Sequence, residues 1–258
     1  MTYADLGALT SPESAALAGE AVGVVQVGAV EQHGPHLPLR TDCLITEAVV
    51  RGVAARVEEP LVVAPLIAAG LSEHHVRFPG TVTLAREVFD GVVEAHIAAF
   101  ARIGVRRVAL LSCHGGNFRA LGEIAAASLI SGVDVHAYSD FERFLQVMAA
   151  AGRQAGLDPP ETDSHAGAFE TSMVLTLAGA DAVRDLDSVD GYTAAEPGWL
   201  QRMTSDGVDA LSATGVIGRP AGATATAGRR EIDALCEEIA GWLTTTFGLR
   251  PVGGATGP

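Results

Sequence analysis

The six residues Val22–Val27 (VGVVQV) run straight into GAVEQHGPHLPLRTD, and this junction constrains the chain more than any other feature. A near-continuous apolar run of this length reads as a strand buried on both faces, the pattern of a parallel sheet covered by helices. Leu61–Ile67 and Val108–Ser112 read the same way, with Pro65 marking the end of the first. Between these runs the apolar positions recur at helical spacing. One helix is expected from Thr41 or Asp42, as cap, to about Arg56, and another from about Leu84 to Ile103, stopped by Gly104. Helices near 118–130, 140–155 and 170–177, a strand at 133–138 and an amphipathic helix at Ala225–Phe247 continue the order. Residues 181–219 show poor periodicity and read as loops and short strands. The alternation predicts an α/β fold, a single-domain three-layer sandwich whose mainly parallel sheet is flanked by helices. The domain is expected over residues 1–250, with PVGGATGP at 251–258 a disordered tail.

A net charge of −14, without any basic patch interleaved with aromatics, points away from nucleic acid as a partner. The opening MTYADLGALTSPESAALAGE has no basic segment ahead of an apolar core, so it does not read as a secretory signal. No stretch is long enough for a membrane span. Cys43, Cys113 and Cys236 are an odd, widely spaced set without a C-x-x-C pair, which fits a reducing, cytoplasmic setting.

The loop behind the first strand gathers Glu31, His33, His36 and Asp42 at the strand's carboxyl end, where open α/β sheets keep their sites. Glu31 and His33 lie two apart and share a face in extended backbone, while Gly34, Pro35 and Pro38 can fold Asp42 back onto them. Two carboxylates and an imidazole suit a divalent cation such as Zn, Mn or Fe(II). The same residues also fit an Asx- or His-capped loop with no metal. Six of the eight histidines fall in loops after expected strands: His33, His36, His74, His75, His114 and His165. His96 and His136 read as structural. Such clustering suggests a site assembled across the carboxyl edge of the sheet. Gly115 and Gly116 allow backbone to approach a ligand beside His114, and Asn117 fits a helix cap; an incidental His on a Gly-Gly turn is the plain alternative. Cys113 opens a different reading, a metal-independent cysteine hydrolase, although a small apolar Cys at a strand end packs readily.

EQHGPHLPLRTD at 31–42, HHVRFPGT at 74–81, CHGGN at 113–117 and HAGAFETS at 165–172 resemble, in order, the four signature blocks of the creatininase family of metal-dependent amidohydrolases. The similarity extends to GVIGRPAGATATAGR at 215–229. The resemblance implies two divalent metal ions per chain (Zn, Mn or Fe), bridged by Asp42, with Glu31, His33 and His114 as further ligands. Creatininase itself has a ligand Glu in the third block where this chain has Gly116. Relatives with the H-G-G-N form use the Glu of the E-T-S block, here Glu170. The family's catalytic histidine matches His165. His75, Gly115, Gly116, Asn117 and Trp199 are the expected substrate contacts, and a homohexamer is the expected assembly. Ser112 and Cys113 stand where relatives often have Asn-Gly.

Two cations held about 3.5–4 Å apart lower the pKa of a shared water, so that hydroxide is available near neutral pH to attack an amide carbonyl. His165 then passes a proton to the departing nitrogen, a role worth about 10²–10⁴-fold. The expected function is di-metal-dependent hydrolysis of a non-protein or small-peptide amide C–N bond. Sparse aromatics and Gly116 favour an amide other than creatinine. The family also holds formamide hydrolases of pyrimidine biosynthesis and the peptidase that trims the mycofactocin precursor peptide, and both activities fit. A non-catalytic oligomer whose metal ties loops together is the remaining reading.

Overall fold

The computed structural model describes residues 2–17, 19–186 and 189–253. Strands β1 (Tyr3–Asp5), β2 (Val22–Val27), β3 (Leu61–Val63), β4 (Arg107–Ser112) and β5 (Asp134–Ala137) form a parallel sheet in the order β1-β3-β2-β4-β5. The helices are α1 (Ser11–Ala16), α2 (Thr41–Ala54), α3 (Arg86–Arg102), α4 (Gly115–Ala127), α5 (Phe141–Gln154), α6 (Ala168–Ala178), α7 (Trp199–Asp206) and α8 (Ala225–Phe247).

The central strand β2 is buried throughout, and its side chains alternate between two cores. Val22 and Val24 join Ile45, Val49 and Val53 of α2 and the inner faces of α5, α6 and α8. Val25 and Val27 join Phe89, Val93, Ile97 and Phe100 of α3 and Leu121 of α4. Helix layers on both faces explain why the strands read as unbroken apolar runs. On α8, Leu235, Ile239 and Leu243 are at most 1% exposed, and burying each such side chain contributes about 1.5–3 kcal/mol. The three-layer α/β sandwich expected from the sequence is the fold observed.

Four local differences have physical causes. β3 stops at Val63, ahead of Pro65, although the Ala64 N–H still donates to the Val24 carbonyl at 2.9 Å. β1 is only three residues long and shows no period; it is held at the edge through Leu61 N–H donating to the Thr2 carbonyl at 2.8 Å. Helix α7 lies in the region read as loops, an eight-residue segment set between Gly198 and Gly207, both with positive φ. At the start of α2 neither Thr41 nor Asp42 caps: the Thr41 hydroxyl donates to the Pro38 carbonyl at 2.7 Å, and Asp42 occupies the first turn. Its carboxylate is thereby left for another use.

Of the expected tail, Pro251 pairs with Val57 and the Val252 N–H donates to the Arg56 carbonyl at 3.0 Å. Residues 254–258 lie outside the described residues. No helix among the described residues is long and apolar enough to cross a membrane.

Candidate metal centre

Four chain segments meet at the carboxyl ends of β2 and β4. The loop after β2 brings Glu31 and His33, α2 brings Asp42, and His114 stands at the N-cap of α4. Glu170 comes from the first turn of α6. All five are buried. Their donor atoms form three overlapping groups, each within 4.8 Å: Glu31, Asp42 and His114; His33, Asp42 and Glu170; and Glu31, His33 and His165.

Hydrogen-bond partners fix which ring nitrogen of each histidine faces the cluster. His114 Nε2–H donates to the Leu71 carbonyl at 3.0 Å, which leaves Nδ1 3.3 Å from Glu31 Oε1 and 3.5 Å from Asp42 Oδ2. His33 Nδ1–H donates to the Glu31 carbonyl at 3.1 Å, which leaves Nε2 3.6 Å from Asp42 Oδ1 and 3.7 Å from Glu170 Oε2. A backbone carbonyl on the outer nitrogen, with the inner nitrogen turned toward the ligand carboxylates, is how metal-ligating imidazoles are held.

The polar inventory fits a cation. Both Glu31 oxygens, His33 Nε2 and Asp42 Oδ2 are buried without a hydrogen-bond partner. Leaving such groups unpaired is costly, and divalent ions satisfy them all at once. Burial opposes charge on both histidines, yet Asp42 and Glu170 hold His33 at a pKa of about 10, and Glu31 with Asp42 hold His114 at about 9. Burial also disfavours a charged Glu31, but His114 and His75 keep it well below the usual carboxylate range. Glu170 is pushed up to about 7 by burial, against the pull of His33. Carboxylates that draw protons onto facing imidazoles would draw metal ions in their place.

His165 and His75 are differently placed. His165 Nε2–H donates to the Gln32 backbone carbonyl at 2.8 Å, and its Nδ1 lies 3.8 Å from Glu31 Oε1. His75 Nδ1 accepts from the Gln32 amide at 2.8 Å, and its Nε2 lies 3.2 Å from Glu31 Oε1. Burial keeps both imidazoles neutral, well below their ordinary pKa. Gln32 is the common element. Its Oε1 accepts from the Gly34 N–H at 2.9 Å and its amide also donates to the Gly215 carbonyl at 3.0 Å, so its orientation is locked. Sequence reasoning passed over Gln32, since alternation puts it on the face opposite Glu31 and His33.

The remaining expected site residues fall in different places. Gly115 and Gly116 line the cavity beside His114, with His74 stacked on the His114 ring at 5.9 Å. A Cβ on Gly116 would run into the Leu71 carbonyl and His114 Nε2, so this backbone has no room for the glutamate of creatininase itself. Asn117 is fully committed to structure: its Oδ1 accepts from Leu71 N–H at 3.0 Å, and its amide donates to the Gly28 carbonyl and to Ser112 Oγ. Trp199 packs on Tyr192 at 6.4 Å rather than on the cavity wall, where the next residue, Leu200, lies instead. His36 is turned away toward Thr171 Oγ1, 3.0 Å distant. Cys113 is buried in the core beside α8, and burial pushes its thiol up, far from a reactive thiolate.

The family model described as "Creatininase: Creatinine amidohydrolase" matches residues 7–243. The chain is 36% identical to the mycofactocin precursor peptide peptidase of Mycobacterium tuberculosis, over 88% of this chain and 87% of that protein. It is 33% identical to the creatinine amidohydrolase of Pseudomonas putida, over 71% of this chain and 74% of that one. Among solved structures, "Creatininase Mn" superposes with a TM-score of 0.74 at 28% identity, covering 95% of this chain and 99% of that one. With the family model covering most of the chain and the fold shared end to end, the protein belongs to the creatininase family of metal-dependent amidohydrolases.

Proposed function

We propose that this chain is a two-metal amidohydrolase acting on the amide bond of a short peptide. Glu31, Asp42 and His114 would hold one divalent cation, and His33, Asp42 and Glu170 the other. The observation that carries the reading is the Asp42 carboxylate, whose Oδ1 faces His33 at 3.6 Å while Oδ2 faces His114 at 3.5 Å. One carboxylate thus belongs to both ligand groups. The donor set of imidazoles and carboxylates suits Zn, Mn or Fe. Bound there, the cations supply Lewis acidity and a water of lowered pKa.

The chain's own residues supply the rest. His165, neutral and pinned through Nε2–H to the Gln32 carbonyl, has its Nδ1 free to take up a proton and return it to the departing nitrogen. His75 stands beside Glu31, its Nε2 3.2 Å from Oε1. Gly115 and Gly116 line the cavity beside His114, where a substrate would meet the centre.

A cavity of about 1000 Å³ opens from these residues, far more than one small ring fills and suited to a peptide segment. Together with the 36% identity to a peptidase of the mycofactocin precursor peptide, this makes that peptide the first substrate to try and a small non-peptide amide the second. The test incubates purified protein with the precursor peptide and with creatinine, and follows new fragments by mass spectrometry, with and without EDTA or iodoacetamide. Peptide cleavage that EDTA abolishes and iodoacetamide spares is expected. Cleavage that survives EDTA and is lost to iodoacetamide would return the assignment to Cys113. No cleavage of any amide by metal-loaded protein would leave the loop-tying role.

The same reading takes residues 1–250 as the working domain of a cytoplasmic homohexamer. Three unpaired cysteines support the compartment, and Val88 and Leu129, 52% and 94% exposed, are apolar surface that contact between copies would cover. A monomeric mass by light scattering at micromolar concentration would remove the oligomer from the account.

A further inference from the structure

The cavity that opens from the candidate metal centre has a second wall of opposite chemistry. At one end it reaches Glu31, Asp42, His114 and Glu170. The same lining takes Phe141, Leu145 and Met148 from α5, whose spacing of four and three places them on one helical stripe. Helix α7 adds Leu200 and Met203, three apart. No charged side chain lies on either stripe. The two arginines that reach the same cavity, Arg86 and Arg119, are both held by Glu123, at 2.7 and 2.8 Å.

The apolar wall is built up to the reacting end. Phe141 packs edge-on against Phe118 at 5.3 Å, and its ring lies over Gly115, where a Cβ would come within 2.9 Å of Cζ. An aromatic ring is therefore fixed one residue from His114 because position 115 has no side chain. Leu200 is 37% exposed on α7 and Leu145 is half-buried on α5, and both line the cavity. Both have apolar area left to cover.

An occupant that satisfies both walls must bring a carbonyl to the carboxylate and imidazole end and a bulky apolar group to α5 and α7. We propose that Phe141, Leu145, Met148, Leu200 and Met203 form a specificity subsite for a large aliphatic or aromatic side chain next to the scissile amide. The subsite rests on the metal-dependent reading above, and deepens it by naming the substrate class. Burying such a side chain contributes about 1.5–3 kcal/mol, equivalent to roughly 10–150-fold in affinity.

The test uses two hydroxamates, which grip divalent metal ions through the same two oxygens and differ only in their tails. Acetohydroxamic acid has a methyl group, and hydrocinnamohydroxamic acid a phenylethyl group. Titration calorimetry on Zn²⁺-loaded protein gives the two dissociation constants, and their ratio isolates the tail. The wild-type ratio is expected to be about 10–150 in favour of the aromatic tail. Leu200→Asn, at an exposed position that folding tolerates, and Leu145→Asn are each expected to cut the ratio by about fivefold or more, with unchanged melting temperature for the former. Equal affinities of the two compounds for the wild type would overturn the subsite and leave the metal reading standing. Failure of both compounds to bind would overturn the metal reading, and the subsite with it.

Discussion

Glu231, on α8, carries a carboxyl group that is fully buried, and neither of its oxygens has a hydrogen-bond partner. Its Oε1 lies against Gly152 of α5, a position where any Cβ would collide with it. Burial, reinforced by the negative charges of Asp163 and Glu170, pushes its pKa from 4.5 to about 9. Between those values the folded chain holds a proton that the unfolded chain has released. Stability from this group is therefore complete below pH 4.5 and is lost as pH rises toward 9. The slope is about 1.4 kcal/mol per pH unit, so from pH 5 to pH 8 this one carboxyl removes up to about 4 kcal/mol. Glu231→Gln keeps the shape of the neutral acid and cannot ionise. Urea unfolding of both proteins at pH 5, 6, 7 and 8 should show the variant gaining on the wild type by about 1.4 kcal/mol per unit. All other titrating groups cancel in the difference. Parallel stability curves for the two proteins would refute the reasoning, since they would mean that Glu231 stays ionised in the fold.

Other outcomes follow from the metal cluster and its supports. Asp42→Ala should bind well under half of the wild-type metal by elemental analysis, and full stoichiometry would remove Asp42 as a bridge. Glu170→Gln should weaken one of the two metals, because an amide is a poorer ligand than a carboxylate. His165→Ala should keep both metals and lose about 10²–10⁴-fold in kcat; metal lost in step with activity would make His165 a ligand and His75 the next candidate proton source. Gln32→Leu strands the Gly34 N–H, the Gly215 carbonyl and His75 Nδ1. It should lower kcat about 10-fold or more with metal content preserved, and kcat equal to wild type would deny Gln32 its orienting part.

The sheet and the convergence of the candidate ligands were legible because both are written in short-range pattern. Val22–Val27 is apolar throughout because helices cover both faces, and Glu31 and His33 share a face because they are two apart. Asp42 was legible as well, since the Gly and Pro content of its loop demanded a reversal. What escaped depends on partners far along the chain. Gln32 gains its importance from Gly215 and His75, 183 and 43 residues away, which no local spacing encodes. α7 hides in a Gly-flanked stretch of eight residues, too short for its period to stand out. Asn117 looked like a helix cap but ties β2 and β4 to the Leu71 loop, because α4 begins ahead of it at Gly115. Trp199 was expected as a substrate contact through the resemblance, and the structure places its ring against Tyr192.

Anomalous scattering from a crystal of the metal-loaded protein, collected on either side of the metal's absorption edge, tests the two-metal centre most directly. Two peaks about 3.5–4 Å apart are expected. One should lie among Glu31, Asp42 and His114 and the other among His33, Asp42 and Glu170, with Asp42 touching both. A single peak among Glu31, His33 and His165, with Asp42 touching no metal, would contradict it.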